Sequence, residues 1–513
     1  MSKRAIIFIA SLVILISGCE YFRVMSYDEL VQFKSGEDKP TEFVFPENTV
    51  FVAPHGRANA AGTKEDPFLS INEAISSAET MMNASGGSSG FVAVHADVFM
   101  PLIPKTNISV FGGFDSSFKY IVGKSSVTVT SGSAVNASAV NFVTIANFTF
   151  KTSDTTAGAT VAVSGSNITF ENTEIYAPNN DAMGIGIEVN SSLIIINRST
   201  VYLGVSGGTG ISGGIYLNGS NSGSRISNSK ISYIDNQDGE IYGISINGGT
   251  MPGIVNNRII LQTEVDDCTG IVITNTNIYA DDSMIDRNRI SLTGDGGLSA
   301  VSITNTTDNP NYLVSNNCIY INKRSASNPL QIEALTISGS GSVLNNTIYV
   351  NNNYNCSSSY FVFYEDATDD GYQREISNNI FYYKSDMTTD MTAIKVNYMV
   401  NYVSNNDFNY SGTYPGYFRL YHNSFNNDNV YWNNNPSGTQ ISVINGGRLS
   451  MSVFKNLFVN PGFASVDPEF NSSANWMKPS SSSILSGGKS FNSYNHDING
   501  KTRSSPWSIG AFE

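Results

Sequence analysis

Between residues 160 and 410 the chain repeats itself. A short β-branched strand enters through asparagine as Glu171-Asn172-Thr173-Glu174-Ile175, Ser227-Asn228-Ser229-Lys230-Ile231, Asn256-Asn257-Arg258-Ile259 and Arg287-Asn288-Arg289-Ile290. It continues as Asn316-Asn317-Cys318-Ile319, Asn345-Asn346-Thr347-Ile348, Asn378-Asn379-Ile380-Phe381 and Asn405-Asn406-Asp407-Phe408, with a weaker copy at Asn197-Arg198-Ser199-Thr200-Val201. The apolar markers 175, 201, 231, 259, 290, 319, 348, 381 and 408 are separated by 26, 30, 28, 31, 29, 29, 33 and 27 residues. An imprecise but sustained period of this length marks a solenoid whose loops vary while its strands keep register.

Partner strands precede most markers, as in Gly184-Ile185-Gly186-Ile187-Glu188-Val189, Gly243-Ile244-Ser245-Ile246 and Ala300-Val301-Ser302-Ile303. Their apolar residues alternate, so one face packs inward and the other meets solvent. Two or three strands per period exclude a helical repeat, and the period is too short for a four-stranded propeller blade. The expected fold is all-β: a single-stranded right-handed parallel β-helix with a short N-terminal capping helix. At this period 513 residues give about 13–14 coils and a length of roughly 60–70 Å.

Asparagine suits the bend because it tolerates the left-handed conformation and its amide can bond the same amide one coil along. Asn257, Asn288, Asn317, Asn346, Asn379 and Asn406 are the expected ladder. Composition agrees: 14% of residues are charged, 45 are Gly, and 11% are aromatic, which supplies apolar surface that a disordered chain lacks. The net charge of −14, with no basic run, argues against a nucleic-acid partner.

Lys3 and Arg4 precede an apolar run, Ala5 to Ile16, that is too short to span a bilayer and reads as an export signal. Its ending, Ile16-Ser17-Gly18-Cys19, resembles the bacterial lipobox. That resemblance implies cleavage before Cys19, lipidation of Cys19 and attachment to a membrane, and Glu20 in the following position favours the outer membrane or cell surface. The expected organisation is a signal peptide at 1–18, a tether at 19–48, the β-helix with its N-terminal cap at 49–465 and a C-terminal capping segment at 466–513. Cys268, Cys318 and Cys356 are an odd number, which excludes a complete disulfide framework and leaves them as small packed hydrophobes.

Ser70-Ile71-Asn72-Glu73 has capping-box spacing, and Ile71, Ala74, Ile75, Ala78 and Met82 form one apolar stripe at helical spacing. Phe51-Val52-Ala53-Pro54, the stretch Gly62-Thr63-Lys64-Glu65-Asp66-Pro67-Phe68, and Val110-Phe111-Gly112-Gly113-Phe114-Asp115 resemble the opening of a large, mostly uncharacterised family of bacterial surface β-helix proteins. Asp467-Pro468-Glu469-Phe470, Leu485-Ser486-Gly487-Gly488, Asp497 to Arg503 and Ile509 to Glu513 resemble its C-terminal signature. The resemblance implies a pectate-lyase-like fold; some members are polysaccharide lyases and many have no assigned activity.

Chemistry is sparse. Val265-Asp266-Asp267-Cys268 resembles one motif of the polygalacturonases, but the other motifs of that family do not occur, and no His lies between His95 and His422. A lyase needs Ca²⁺ on several carboxylates plus a Lys or Arg base. Asp266, Asp267, Asp281 and Asp282, with Asp286 nearby and Lys323 and Arg324 farther on, are the candidate constellation; the competing account is a set of solvated acidic turns. Gly204-Val205-Ser206-Gly207-Gly208 fits a nucleophile-elbow pattern but lies between strands, without the helix and His that motif requires. The aromatic stretch from Tyr360 to Trp432 supplies core residues by alternation, and its outward remainder, represented by Tyr417 and Trp432, is a candidate glycan or protein surface. The functional expectation is a non-catalytic, lipid-anchored surface protein, adhesin-like or structural, that needs no cofactor. The alternative is a Ca²⁺-dependent lyase of uronate polymers.

Overall fold

The computed structural model describes residues 42–178, 183–203, 211–220, 223–234, 240–263, 267–276, 284–304, 313–324, 331–338, 341–352, 354, 359–364, 375–385, 391–396, 402–404, 406–411, 417–422, 430–433, 444–446, 449–454, 496–503 and 511. Among them, strands stack into three sheets of 15, 12 and 12 members, and from Ile108–Phe114 to Tyr417–His422 each successive coil contributes one strand to each sheet. One coil shows the plan: Asn167–Glu171 in the first sheet, Glu174–Tyr176 in the second and Met183–Asn190 in the third, before Leu193–Asn197 re-enters the first. This is the right-handed parallel β-helix that the period implies.

Register makes the interior. Ile145, Phe170, Ile196, Ile226, Ile254, Ile285, Val314, Val343 and Ile376 pair in succession along the first sheet, and all are buried. Each such side chain contributes about 1.5–3 kcal/mol on leaving water, and a one-residue slip would turn the whole column outward. Cys268 lies in this interior as a buried free thiol, and Cys318 is buried on the outer side of the second sheet. Cys356 lies outside the described residues.

Along the third sheet the pairing skips one position in successive coils. Gly243, Gly270, Ala300 and Ala334 occupy one column that the strand pairing skips. A Cβ on Gly243 would lie 2.5 Å from the carbonyl oxygen of Gly270 and 2.8 Å from Ile259 Cγ2.

Helix α1 (Ile71–Ser85) closes the first coil. Ser70 caps it by accepting from Glu73 N–H, Gly86 ends it at φ 67°, and Ile71, Ala74, Ile75 and Ala78 are its buried residues. They join the strand residues Val50, Val52, Val92 and Val94 in the core, with Met82 packed partly against them. This covers an edge that would otherwise invite pairing with another chain. At the far end two sheets finish on antiparallel strands: Val430–Asn433 beside Tyr417–His422, and Ile444–Gly446 beside Leu449–Phe454.

The described part of the segment expected to cap that end covers a flank. Ile498 and Ala511 pack with Cys318 and Tyr349 on the outer face of the second sheet. Arg503 donates to Asn316 Oδ1 at 3.1 Å, and Ala511 N–H to Thr347 Oγ1 at 2.9 Å. No helix among the described residues is long and apolar enough to cross a membrane.

Candidate functional site

The turn from the first sheet to the second is made by two adjacent residues. The first adopts the left-handed conformation: Asn172, Arg198, Asn228, Asn256, Arg287, Asn316, Asn345 and Asn378 have φ between 50° and 59°. The second points inward and forms the ladder. The left-handed asparagines also bond along the solenoid, Asn256 Nδ2 donating to Asn228 Oδ1 at 2.7 Å and Asn378 Nδ2 to Asn345 Oδ1 at 3.0 Å, so they combine both tasks as the sequence suggests, and the neighbouring buried residues add a second, inner ladder. In each ladder pair the Oδ1 of the following coil accepts both the backbone N–H and the amide of the preceding one, from Asn257 to Asn288, Asn317, Asn346, Asn379 and Asn406, at 2.9–3.1 Å. Each amide also donates to a main-chain carbonyl, as Asn317 does to Ile285.

Toward the N-terminal end, hydroxyls continue the same line. Thr173 N–H donates to Ser199 Oγ, Ser199 N–H to Ser229 Oγ and Ser229 N–H to Asn257 Oδ1. Where arginine takes the left-handed position, a carboxylate holds it: Arg198 Nε lies 2.6 Å from Glu171, and Arg287 Nε 2.7 Å from Asp286.

The acidic positions serve the scaffold wherever they are described. Asp267 is exposed, and its Oδ1 accepts Gly297 N–H at 2.7 Å. Asp286 is buried and accepts from Ser315 Oγ, Asn316 Nδ2 and Arg287 Nε. Lys323 is buried, its ammonium donating to the carbonyls of Asp295 and Gly296. Asp266, Asp281, Asp282, the 204–208 loop and Cys19 lie outside the described residues. Among the described residues no three His, Cys, Asp or Glu side chains converge as a metal site. On the third sheet Tyr242 donates to Glu240 Oε2 at 2.7 Å. Burial, followed by that hydrogen bond and the negative charges of Glu240 and Asp267, pushes the phenol well above its ordinary range. Burial, with Asp267 adding to it, raises the Cys268 thiol as well, which disfavours the thiolate.

The outer face of the second sheet carries stacked aromatic and charged side chains. Tyr176 and Tyr202 pair in register and stack with centroids 4.6 Å apart and planes 19° from parallel. Lys151 Nζ sits 4.2 Å from the Tyr176 centroid, and Lys124 pairs with Glu174 at 2.9 Å. Farther along, Tyr320, Tyr349 and Tyr382 stack in the same column, at 5.5 and 4.8 Å, where the C-terminal turn covers them in part. The sequence signal for this face was available: these residues flank the inward markers, as in Glu174-Ile175-Tyr176 and Thr200-Val201-Tyr202. Tyr417 and Trp432 lie on adjacent antiparallel strands but are not cross-strand partners, since Tyr417 pairs with Asn433 and Phe418 with Trp432.

No family model matches the sequence, and no curated protein matches it. Several solved structures are similar. The A-module of the mannuronan C-5 epimerase AlgE6 of Azotobacter vinelandii is 14% identical with a TM-score of 0.40, over 69% of this chain and 92% of that one. Pectate lyase Pel9A is 12% identical with a TM-score of 0.38, over 92% and 97%. PfbA, a surface adhesin of Streptococcus pneumoniae, is 15% identical with a TM-score of 0.33, over 78% and 98%. The β-helix assignment rests on the chain's own parallel ladders.

Proposed function

We propose that this protein is a lipid-anchored, cell-surface β-helix that binds a glycan or a protein through its outward faces without catalysis. In this reading residues 1–18 direct export, Cys19 carries the lipid, and residues 19–48 tether the solenoid to the outer membrane or cell surface. The observation that carries the reading is the in-register repetition of polar side chains on the outer faces. Tyr176 repeats at Tyr202, and at a corner of the third sheet Asn190 repeats at Asn218 and Asn247. Asn218 Nδ2 donates to Asn190 Oδ1 at 3.1 Å, so this row is pre-ordered. A surface repeated at a fixed spacing is suited to a partner that is itself repetitive, and pre-ordered groups lose less freedom on binding.

The deciding experiment is a screen of the full chain against acidic and neutral polysaccharides and surface proteins, reading binding and unsaturated-product absorbance together. Binding without new absorbance is the expected result. Absorbance that grows on adding calcium would replace this reading with the Ca²⁺-dependent lyase and would direct attention to Asp266, Asp267, Asp281 and Asp282. Export and anchoring are checked separately: radiolabelled palmitate should enter the wild type and not Cys19→Ser.

A further inference from the structure

Two rows of side chains run along the turn from the first sheet to the second, and the outer row is interrupted. In that row the amide of a left-handed asparagine donates to the coil before it: Asn228 to Asn197 Oδ1 at 2.8 Å, Asn256 to Asn228 Oδ1 at 2.7 Å, Asn316 to Asp286 Oδ1 at 2.8 Å and Asn378 to Asn345 Oδ1 at 3.0 Å. Asn345 stands one rung after Asn316, since Ser315 pairs with Leu344, and the same pattern would have it donate to Asn316 Oδ1. It does not. Asn345 is fully buried, and its Nδ2 finds no hydrogen-bond partner among the described residues. The other unpaired amide of the row, Asn147, stands at its beginning, where no asparagine precedes it.

The acceptor that Asn345 lacks is taken by a residue from far along the chain. Arg503 Nη2 donates to Asn316 Oδ1 at 3.1 Å. Arg503 belongs to the C-terminal turn, which fastens across three coils: Arg289 donates to Asn499 Oδ1, Arg503 to Asn316, and Ala511 N–H to Thr347 Oγ1. Its apolar contribution among the described residues is confined to Ile498 and Ala511, which lie over Cys318 and Tyr349.

Docking of the turn therefore leaves a donor unsatisfied where water cannot reach it, and an unmade buried hydrogen bond costs more than a made one contributes. Lifting the turn frees Asn316 Oδ1, and rotation of the Asn345 side chain then completes the row. One acceptor is shared between two donors that exclude each other, so each arrangement has a bond that the other lacks. Two such states differ little in free energy, and both are populated.

We propose that the C-terminal turn, His496 to Arg503 with Ala511, is a reversible clasp, closed when Arg503 holds Asn316 Oδ1 and open when Asn345 takes that oxygen instead. The open form uncovers Cys318 and Tyr349, the middle member of the stacked tyrosine column, which the closed form buries. This inference is independent of the binding role proposed above.

The test follows alkylation of Cys318 in the full chain by peptide mass spectrometry, together with the melting temperature. Labelling reads the open population as long as reclosing outpaces it. Arg503→Met removes the clasp's hold on Asn316: Cys318 should be alkylated roughly tenfold faster or more, interior Cys268 should stay protected, and the melting temperature should hold because Asn345 takes up the freed acceptor. Asn345→Gly tolerates the left-handed turn and removes the competing donor, so Cys318 should be labelled more slowly than in the wild type. In that background Arg503→Met should lower the melting temperature, since no donor replaces the one lost. Asn345→Asp, which keeps the acceptor that Asn378 uses, replaces the glycine variant if the latter does not fold. Labelling of Cys318 that Arg503→Met does not accelerate, or a melting temperature that Arg503→Met lowers equally in both backgrounds, overturns the proposal and leaves Arg503 as a fixed strut.

Discussion

Asn346 Oδ1 receives two hydrogen bonds from Asn317, one from its backbone N–H at 2.9 Å and one from its side-chain amide at 3.0 Å. A single acceptor thus satisfies two buried donors of the coil before it. The amide of Asn346 then donates to Val314 O, Leu344 O and Asn379 Oδ1. The ladder passes satisfaction from coil to coil, and removing one member leaves its neighbour with donors that water cannot reach.

Asn346→Ala should therefore lower stability by about 1–3 kcal/mol for each group left unpaired, read as a drop in melting temperature by circular dichroism. Asn346→Ser should cost less, since Ser199 and Ser229 perform the same task upstream. Equal melting of wild type and Asn346→Ala would remove the ladder from the account of stability.

Gly243→Ala places a methyl group against the Gly270 carbonyl and Ile259. Overpacking of this kind costs about 1–3 kcal/mol. Ala300→Gly, at the equivalent position two coils on, removes a methyl group where one already fits. Chemical denaturation should rank Gly243→Ala well below Ala300→Gly; the reverse order would show that this column does not limit side-chain size.

Cys318 is buried partly because Ile498 and Ala511 lie over it. Burial raises its thiol pKa, an effect that the positive charge of Arg289 offsets only in part. Ile498→Asp should lift the C-terminal turn and speed alkylation of Cys318, identified by peptide mass spectrometry, while interior Cys268 stays protected. Unchanged labelling of Cys318 would mean that the turn does not shield it.

Asp115 titrates below the ordinary carboxyl range. Burial works against this, but hydrogen bonds from Ser117 Oγ and the amides of Tyr120 and Lys119 outweigh it. A depressed folded pKa contributes stability that is present above the unfolded value, about 3.9, and is lost as pH falls through the folded one. Asp115→Asn should therefore be less stable than wild type at pH 7, and the gap should close in acid. A gap independent of pH would assign the effect to shape and not to charge.

The interior columns were legible because alternation and period together dictate which residues face in; Ile226, Ile254 and Ile285 could be aligned from sequence. The asparagine positions were legible for the same reason. Ser199 and Ser229 were harder to see as their continuation, because a hydroxyl and an amide share only the capacity to accept a backbone N–H. Division of the turn between Asn316 and Asn317 depends on φ angles that identical residues do not disclose. The contact between Arg289 and Asn499 joins positions 210 apart, and no periodicity announces it. Lys230, Arg258 and Arg289 each stand immediately before a marker, and only the register shows them one rung apart.

The regular register of the central coils also bears on how such a chain can change length. Lys230, Arg258 and Arg289 hold equivalent places, and in the parallel ladders each strand pairs only with strands of the adjoining coils. Excision or tandem duplication of one complete coil would rejoin surfaces that already fit, whereas losing half a coil would strand every column. In-frame gain or loss of whole repeats is thus a mutational route that alters reach, and the number of sites along a face, without requiring a new core.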